Sequence, residues 1–306
     1  MEAVLTVGQQ VLILFFLVGV GFVLSRARLL DEATCHGISQ LIIYVVTPSM
    51  MVVAFQRPLE PSSLHGFVLA LGLSIVVHFV AVGLAAPLLA GRDSRSAMLR
   101  FSVVHSNCGY MGYPLQTALL GPIGAFYGSA YVVAFNLFAW TYGYQLLAGN
   151  RQKFSLKNTL LNPGIIGVAL AMALYLLQVS LPQLLLTPIT CLSQLNTPLP
   201  MLVVGYQLAH SDLRAALRGG RVWLAAALRL VVLPAVTLVL LLLLRVEHTV
   251  AVATAAASAA PCAALLSIFA ARFGHDTGLS SGLVAAETVL SALTMPVMVG
   301  LAMALC

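Results

Sequence analysis

Charge is what this chain has least of. Only 8% of its 306 residues are Asp, Glu, Lys or Arg, while 60% are hydrophobic and the mean hydropathy is +1.01. A water-soluble domain of this length needs a charged surface, so the apolar excess must face lipid. The five cysteines (Cys35, Cys108, Cys191, Cys262 and Cys306) are odd in number and scattered. Their spacing suggests no metal site, and they read as buried packing thiols. There is no His/Glu zinc spacing, no nucleophile elbow, no phosphate loop and no pair of intramembrane acids for proteolysis, so no enzyme signature is present. The stretch Gly109–Gly112 lacks the strand context of a nucleotide-binding turn. No basic residue and no small-residue cleavage site accompany the first apolar run, which begins near Glu2. That run is expected to be a true first helix rather than a signal peptide.

What is there is a succession of apolar segments. A spanning helix needs about 20 mainly apolar residues. Ten segments qualify, at residues 3–25, 35–56, 63–90, 97–120, 122–148, 159–178, 185–208, 221–244, 249–272 and 277–304. The fold class expected is an all-α polytopic membrane protein. A pI near 9.3 could suggest nucleic acid, but the placement of the charge says otherwise. Arg26, Arg28, Arg92, Arg95, Arg100, Arg151, Lys153, Lys157, Arg214, Arg218, Arg221 and Arg272 fall in or beside alternate loops. Only Arg57 and Arg245 fall on the opposite side, and Arg229 lies inside a segment. The positive-inside rule then puts the first group in the cytoplasm and both termini on the extracytoplasmic side.

Cutting the chain at the basic loop around Gly149–Lys157 leaves residues 1–150 and 151–306, with five segments each. Five is odd, so the second half is expected to sit inverted relative to the first. Val52–Gln56 reads like Val203–Gln207, and both follow prolines, Pro48 in one case and Pro198 and Pro200 in the other. Pro114 of the fourth segment then corresponds to Pro261 of the ninth, and Asn136 of the fifth lands on Glu287 of the tenth.

The fourth and ninth segments are interrupted in their middles, at Ser106–Pro114 (SNCGYMGYP) and at the alanine-rich run ending in Pro261. In hydrocarbon a broken helix survives only where protein or a polar cavity satisfies the freed backbone groups. Matched breaks in two halves point to the binding site of a secondary transporter. Two breaks brought face to face would offer half-helix N-termini, and hence backbone donors, to an anion such as a carboxylate. Gly109 and Gly112 are expected to allow unusual dihedrals and close backbone approach. Ala255–Ala260 with Ser258 supplies a small surface, and Asn107 an amide donor. Cys108, Pro114, Pro261 and Cys262 complete the candidate substrate-binding set. Pro48, Pro87, Pro234 and Pro296 read as ordinary kinks.

Glu287 is the only acidic residue near the middle of a segment. An unpaired carboxylate there costs about 2.5–3.5 kcal/mol on insertion scales and is commonly a proton relay. His78, His105 and Asn136 join it as candidate coupling residues. Arg229, roughly 12 Å into its segment at 1.5 Å per residue, is expected to snorkel to the cytoplasmic interface, the other reading being contact with an anionic substrate.

Taken together, SNCGYMGYPL (Ser106–Leu115), LLNPGIIG (Leu160–Gly167), NTPLPMLVVGYQL (Asn196–Leu208) and GHDTGLSSGLVAAETVLS (Gly274–Ser291) resemble the auxin efflux carrier family and its bacterial branch, along the whole chain. That family is related in fold to bile-acid sodium symporters. The resemblance implies ten helices as two inverted five-helix repeats with broken, crossing helices 4 and 9. Helices 1, 2, 6 and 7 would form a scaffold, and 3–5 and 8–10 a moving transport domain. It implies export of small organic anions from a bacterial inner membrane, and it places Asn107, Pro114 and Pro261 at the substrate carboxylate. Homodimers are typical of plant members, so a homodimer is among the expectations. The long cytoplasmic loop of those members is replaced here by Gly149–Lys157, which speaks against auxin, and Cys108 stands where a small hydroxyl residue is common.

The expectation is therefore a proton-linked secondary carrier of small carboxylates, with no cofactor beyond the coupling ion and no nucleic-acid partner. A sodium-coupled organic-anion symporter, a non-transporting ligand sensor and a channel are the other readings.

Overall fold

The computed structural model describes residues 2–149, 163–211, 213 and 218–306. The basic residues Arg151, Lys153, Lys157 and Arg214, and the first residues of the expected sixth span, lie outside the described residues. The chain is helical throughout what is described: α1 (Glu2–Arg26), α2 (Glu32–Phe55), α3 (Pro61–Leu88), α4 (Ser94–Val104), α5 (Cys108–Ala148), α6 (Pro163–Leu176), α7 (Gln183–Gln194), α8 (Pro198–His210), α9 (Gly220–Leu243), α10 (His248–Ala259), α11 (Leu265–Phe273) and α12 (Thr277–Leu305). Among the described residues the only strand-like pairing is one isolated bridge, between Ser106 and Cys262.

Six of these helices (α1, α2, α3, α5, α9 and α12) are long and apolar enough to cross a membrane, which makes this a polytopic membrane protein. Leucines, valines and phenylalanines stand out on their outer faces, among them Phe16, Phe79 and Leu293, each more than 60% exposed. Such a surface is stable only against lipid. Helix α5 has 41 residues, which at 1.5 Å per residue is about 60 Å, twice the roughly 30 Å hydrocarbon core. It bends at Gly121, whose φ of 66° only glycine tolerates easily, just before Pro122.

Three helices carry the same irregularity. At Ile42–Val46, Cys108–Gly112 and Leu228–Val232 the turn widens, and amides bond five residues back rather than four. In each of these a proline follows two positions on (Pro48, Pro114, Pro234), whereas a fourth such turn, at Ala139–Gly143 in α5, has none. Proline has no N–H and its ring crowds the carbonyl four residues before it, so the widened turn re-pairs the ladder around it. Pro87 and Pro296, by contrast, sit inside α3 and α12 without a break. The expected seventh span is interrupted too: α7 ends at Gln194 and α8 begins at Pro198.

Packing builds from these elements. Helix α1 lies along α8 and α12, and α2 packs on α6 and α7. Helices α3 and α10 both lie against α5, and α10 and α11 lie against α12. Loop contacts gather the chain into two ends. At one end Arg95 donates to Arg218 O (2.6 Å), Arg221 to Ala90 O (2.8 Å), and His275 pairs with Ser94 Oγ and Leu147 O (both 2.6 Å). At the other, Leu181 N–H donates to Gln56 Oε1 (2.8 Å) and Leu59 N–H to Gln178 Oε1 (2.9 Å). The basic segments at Arg92–Arg95, Arg218–Arg221 and Arg272–His275 therefore share one end of the molecule. Asp31 and Asp93 cap α2 and α4, where hydrogen bonds from Thr34 and Ser96 hold their carboxyls below the usual range.

All five cysteines are free. Cys35, Cys108 and Cys262 are buried as expected, but Cys191 is exposed and Cys306 partly so. Cys191 lies on an outward face of α7, and Cys306, just past the end of α12, is partly packed against the core.

The α1–α8 contact depends on two glycines meeting backbone. A Cβ on Gly21 would fall 2.7 Å from Leu202 Cα, and one on Gly205 would fall 2.6 Å from Phe22 N. Neither neighbour can yield as a side chain could. Gly205→Ala is expected to cost at least the roughly 1–3 kcal/mol of an overpacked core, seen as a melting temperature several degrees lower in detergent. Gly83→Ala in α3, where nothing lies within 4 Å, should leave melting unchanged or raise it slightly. Equal melting of the two variants would refute this account of the packing.

Candidate functional site

The two interruptions meet. Helix α4 ends at Val104, the chain runs extended through His105–Asn107, and α5 starts at Cys108. Helix α10 ends at Ala259 and α11 starts at Leu265. The two unwound stretches pair antiparallel: Asn107 N–H donates to Pro261 O (2.6 Å) and Ala263 N–H to His105 O (2.9 Å). Alanines on α10 make the approach possible, with Ala255–Ala260 all buried. Gly112 also serves it, since a Cβ there would come within 3.2 Å of Ala257 Cα. Gly109 and Gly112 do not adopt the unusual dihedrals expected of them; neither has positive φ, and both lie within the widened helical turn. The true break falls just before them, at His105–Asn107.

Breaking a helix orphans the carbonyls of its last turn and the amides of the next helix's first turn. In a continuous helix Val103 O would accept from Asn107 N–H, and Ser258 O from Cys262 N–H. Here Asn107 N–H goes to Pro261 O, and Cys262 N–H donates to Glu287 Oε2 at 3.1 Å. Both orphaned carbonyls are taken by one side chain. Arg229 donates through Nη1 to Val103 O at 2.9 Å and through Nη2 to Ser258 O. Arg229 is 1% exposed, so the expected snorkelling to the interface is overturned. Its depth follows from the widened turn Leu228–Val232, which faces it inward onto both breaks. Nothing in its local sequence announces this, although Arg229 stands 151 positions after His78, the same offset that relates Asn136 to Glu287.

Glu287, in α12, is likewise 1% exposed, and its Oε1 has no partner. Ser102 and Arg229 are its polar neighbours. Ser258 Oγ pairs with Thr237 of α9 at 2.9 Å, which ties the α10 break to α9 a second time. His78 and His105 are both buried and each bonds a carbonyl of its own helix through Nδ1, Ser74 O at 2.7 Å and Phe101 O at 3.1 Å. His78 stacks on Phe138 and His105 on Phe101, and each keeps an unpartnered Nε2. Gly143 leaves the room that the His105 ring occupies.

Beside the bridge lies an 80 Å³ cavity lined by Ser106, Asn107, Gly109, Tyr110, Thr47, Asn136 and Ala263–Leu265, together with apolar side chains of α2, α5 and α11. A single water needs roughly 10–15 Å³, so the space admits a carboxylate group and a few waters. The first amides of α5 and α11 belong to this wall, and the unpartnered Asn107 Nδ2 and Ser106 Oγ are buried at it. A second, wider cavity of 560 Å³ is lined by Pro114, Tyr113, Gln10, Asn196, Gln194 and Arg57. Met50 lines both cavities and stands between them. Asn196, in the α7–α8 turn, donates to Gly109 O at 2.9 Å and so joins that turn to the first break.

Of the sequence-predicted residues, Asn107, Gly109 and Asn136 line the small cavity and Pro114 the large one. Cys108, Gly112, Ser258, Pro261, Cys262 and Glu287 form the bridge and its supports behind the cavity wall, and His105 and His78 are packed among aromatic rings. Arg229, Thr47 and Asn196 are the functional candidates that sequence reasoning missed.

Replacing Glu287 by Leu removes the acceptor of Cys262 N–H inside an apolar interior. The expected cost is about 1–3 kcal/mol, read as a lower melting temperature, while Glu287→Gln retains a carbonyl oxygen and loses less. Melting of the Leu variant at or above that of the Gln variant would show that this hydrogen bond does not hold the second break.

A profile of the family described as "Membrane transport protein" matches the chain over residues 6–159 and 150–299. An "Uncharacterized transporter" of Methanocaldococcus jannaschii is similar at 24% identity over 298 residues, covering 93% of this chain and 95% of that protein. The chain belongs to the membrane transport protein family, that of the auxin efflux carriers.

Proposed function

We propose that this family member is a secondary carrier of small organic anions, mono- or dicarboxylates, working by alternating access at the crossover of α4–α5 with α10–α11. The observation that carries the reading is the bridge between Ser106 and Cys262, with the 80 Å³ cavity at its side. It turns two half-helix N-termini, α5 and α11, towards one small polar space. Each contributes roughly half a positive charge, and Gly109 of α5 and Leu265 of α11 line the space. Asn107 adds an amide donor. That is a receptor for one carboxylate group, while the 560 Å³ cavity beyond Met50 accommodates the rest of an anion on its way in or out.

The ten-span, inverted-repeat reading goes with it. Helix α5 is long enough for two spans and bends at Gly121, and α4 and α10 each reach only the crossover. Helices α1, α2 and α6–α8 would be the scaffold, and α3–α5 with α9–α12 the moving part. Thr47 and Met50 of α2 face the crossover across the cavity, so sliding one body past the other would change access to it. The clustering of basic loops at one end supports the orientation with both termini outside. Glu287 is the coupling residue of choice, being buried with one carboxylate oxygen bonded to the crossover and the other free to carry a proton.

The purified protein should be stabilised by malonate or malate, because a ligand bound only by the folded state raises its melting temperature. Asn107→Ala should abolish that shift while melting normally without ligand. Stabilisation that is indifferent to Asn107, or absent for every small carboxylate, would sink the anion site. In proteoliposomes, uptake by Glu287→Gln should lose the pH dependence shown by the wild type; an unchanged profile would remove Glu287 from proton coupling.

A further inference from the structure

Arg229 is a buried charge to which the transport cycle above gives no task. Its position is specific. Val103 O and Ser258 O are two of the carbonyls left without amide donors where α4 and α10 break, and Arg229 binds both. Each sits at the C-terminal end of a half-helix, where about half a negative charge accumulates. Two such ends supply about one negative charge between them, which matches one guanidinium. A buried cation with no compensation would be costly; here the compensation is built from backbone. In carriers with broken helices, half-helix C-terminal ends and unwound carbonyls are where a coupling cation is held.

We propose that Arg229 is a tethered cation standing where such carriers hold a diffusible one, so that this crossover assembles without sodium. The proposal rests on the carrier reading above. The guanidinium suits the task because its planar fork presents donors in two directions at once, which an ammonium on a flexible stem does not. Helix α9 grips the second break twice, by Arg229 at the Ser258 carbonyl and by Thr237 at the Ser258 hydroxyl. The widened turn at Leu228–Val232 fixes the side chain's direction. The ionisable groups around it are Glu287 on α12, His78 on α3, His105 between α4 and α5, Cys108 and Tyr131 on α5, and Cys262 between α10 and α11. No hydrogen bond joins Glu287 to Arg229, since its Oε2 is engaged with Cys262 N–H; the guanidinium's hydrogen-bond partners are the two helix ends, with Glu287 a neighbouring opposite charge.

The test is thermal unfolding of purified Arg229→Ala and Arg229→Gln, which needs no substrate. Each is melted in choline chloride and again with millimolar sodium, methylguanidinium or tetramethylammonium added. The wild type is expected to melt at one temperature in all four. Both variants should melt several degrees lower in choline. They should regain at least half of that loss with methylguanidinium or sodium, and none with tetramethylammonium, which is bulky and has no donors. If the Ala variant yields no folded protein, the Gln variant, whose amide still reaches towards one carbonyl, decides by the same comparison. Wild-type melting in the variants, or an equal loss in all four salts, overturns the proposal. Failure of malonate to stabilise the wild type would sink the carrier reading instead and leave this comparison standing. A normal malonate shift with salt-indifferent variants would sink only the tethered cation.

Discussion

The structure depends on where the backbone hydrogen bonds of two broken helices go. Water cannot rescue an unpaired amide or carbonyl in the middle of a bilayer, so each break must find its partners inside the protein. The solution is reciprocal at one level and delegated at another. Asn107 and Ala263 give their amides to the opposite break, at Pro261 O and His105 O. The groups this leaves over are delegated to charged side chains. Arg229 serves two of the spare carbonyls, Val103 O and Ser258 O, and Glu287 serves the spare amide of Cys262. One cation and one anion, each 1% exposed, thus stand behind the crossover for the same reason.

This constraint explains much of the surrounding composition. Four half-helices can meet only if their side chains are small, and α10 presents an unbroken run of buried alanines and Ser258 to its neighbours. Gly112 admits Ala257, and Gly128 and Gly124 admit Gln116, whose amide reaches across to Ala253 O at 2.8 Å. One aromatic cluster lies further out, where Phe55 meets Phe67, Phe126 and Tyr175 edge to face near the loops at the end opposite the basic ones.

The sequence made the breaks legible because proline and glycine are punctuation in an otherwise uniform text. Pro261 after six small residues, and Asn107 with two glycines and Pro114, cannot pass for plain helix. Glu287 was legible for a similar reason, as a lone acid far from either end of its segment. Arg229 was not. Depth counted along a helix says how far a residue is from the interface, but not which way it faces, and a long basic side chain near a helix end has lipid headgroups as an easy alternative. What turns it inward is a widened turn ahead of Pro234 together with two acceptors created by other segments, and no local pattern encodes those. The dihedrals expected at Gly109 failed for a related reason. Glycine permits unusual backbone without requiring it, and the chain breaks three residues earlier, where the bridge partner lies.

The division of labour at the crossover also bears on how such a site could move without coming apart. The bridge, Arg229, Glu287 and the Thr237–Ser258 pair connect α4, α5, α9, α10, α11 and α12 through buried polar bonds. Breaking any one of them would leave a buried group unsatisfied, so these helices are held as one body. Polar links from this body to its neighbours are sparser: Asn196 reaches Gly109 O from the α7–α8 turn, Thr47 and Met50 of α2 line the cavity opposite, and α1 packs on α5, α10 and α12 through apolar side chains. A motion that preserves the first set and exchanges the second costs far less than one that opens the crossover itself. In the proposed carrier the anion would therefore travel with the crossover, bound to half-helix N-termini whose geometry stays constant. Access would be decided at the surface where the crossover body meets α2 and the α7–α8 turn.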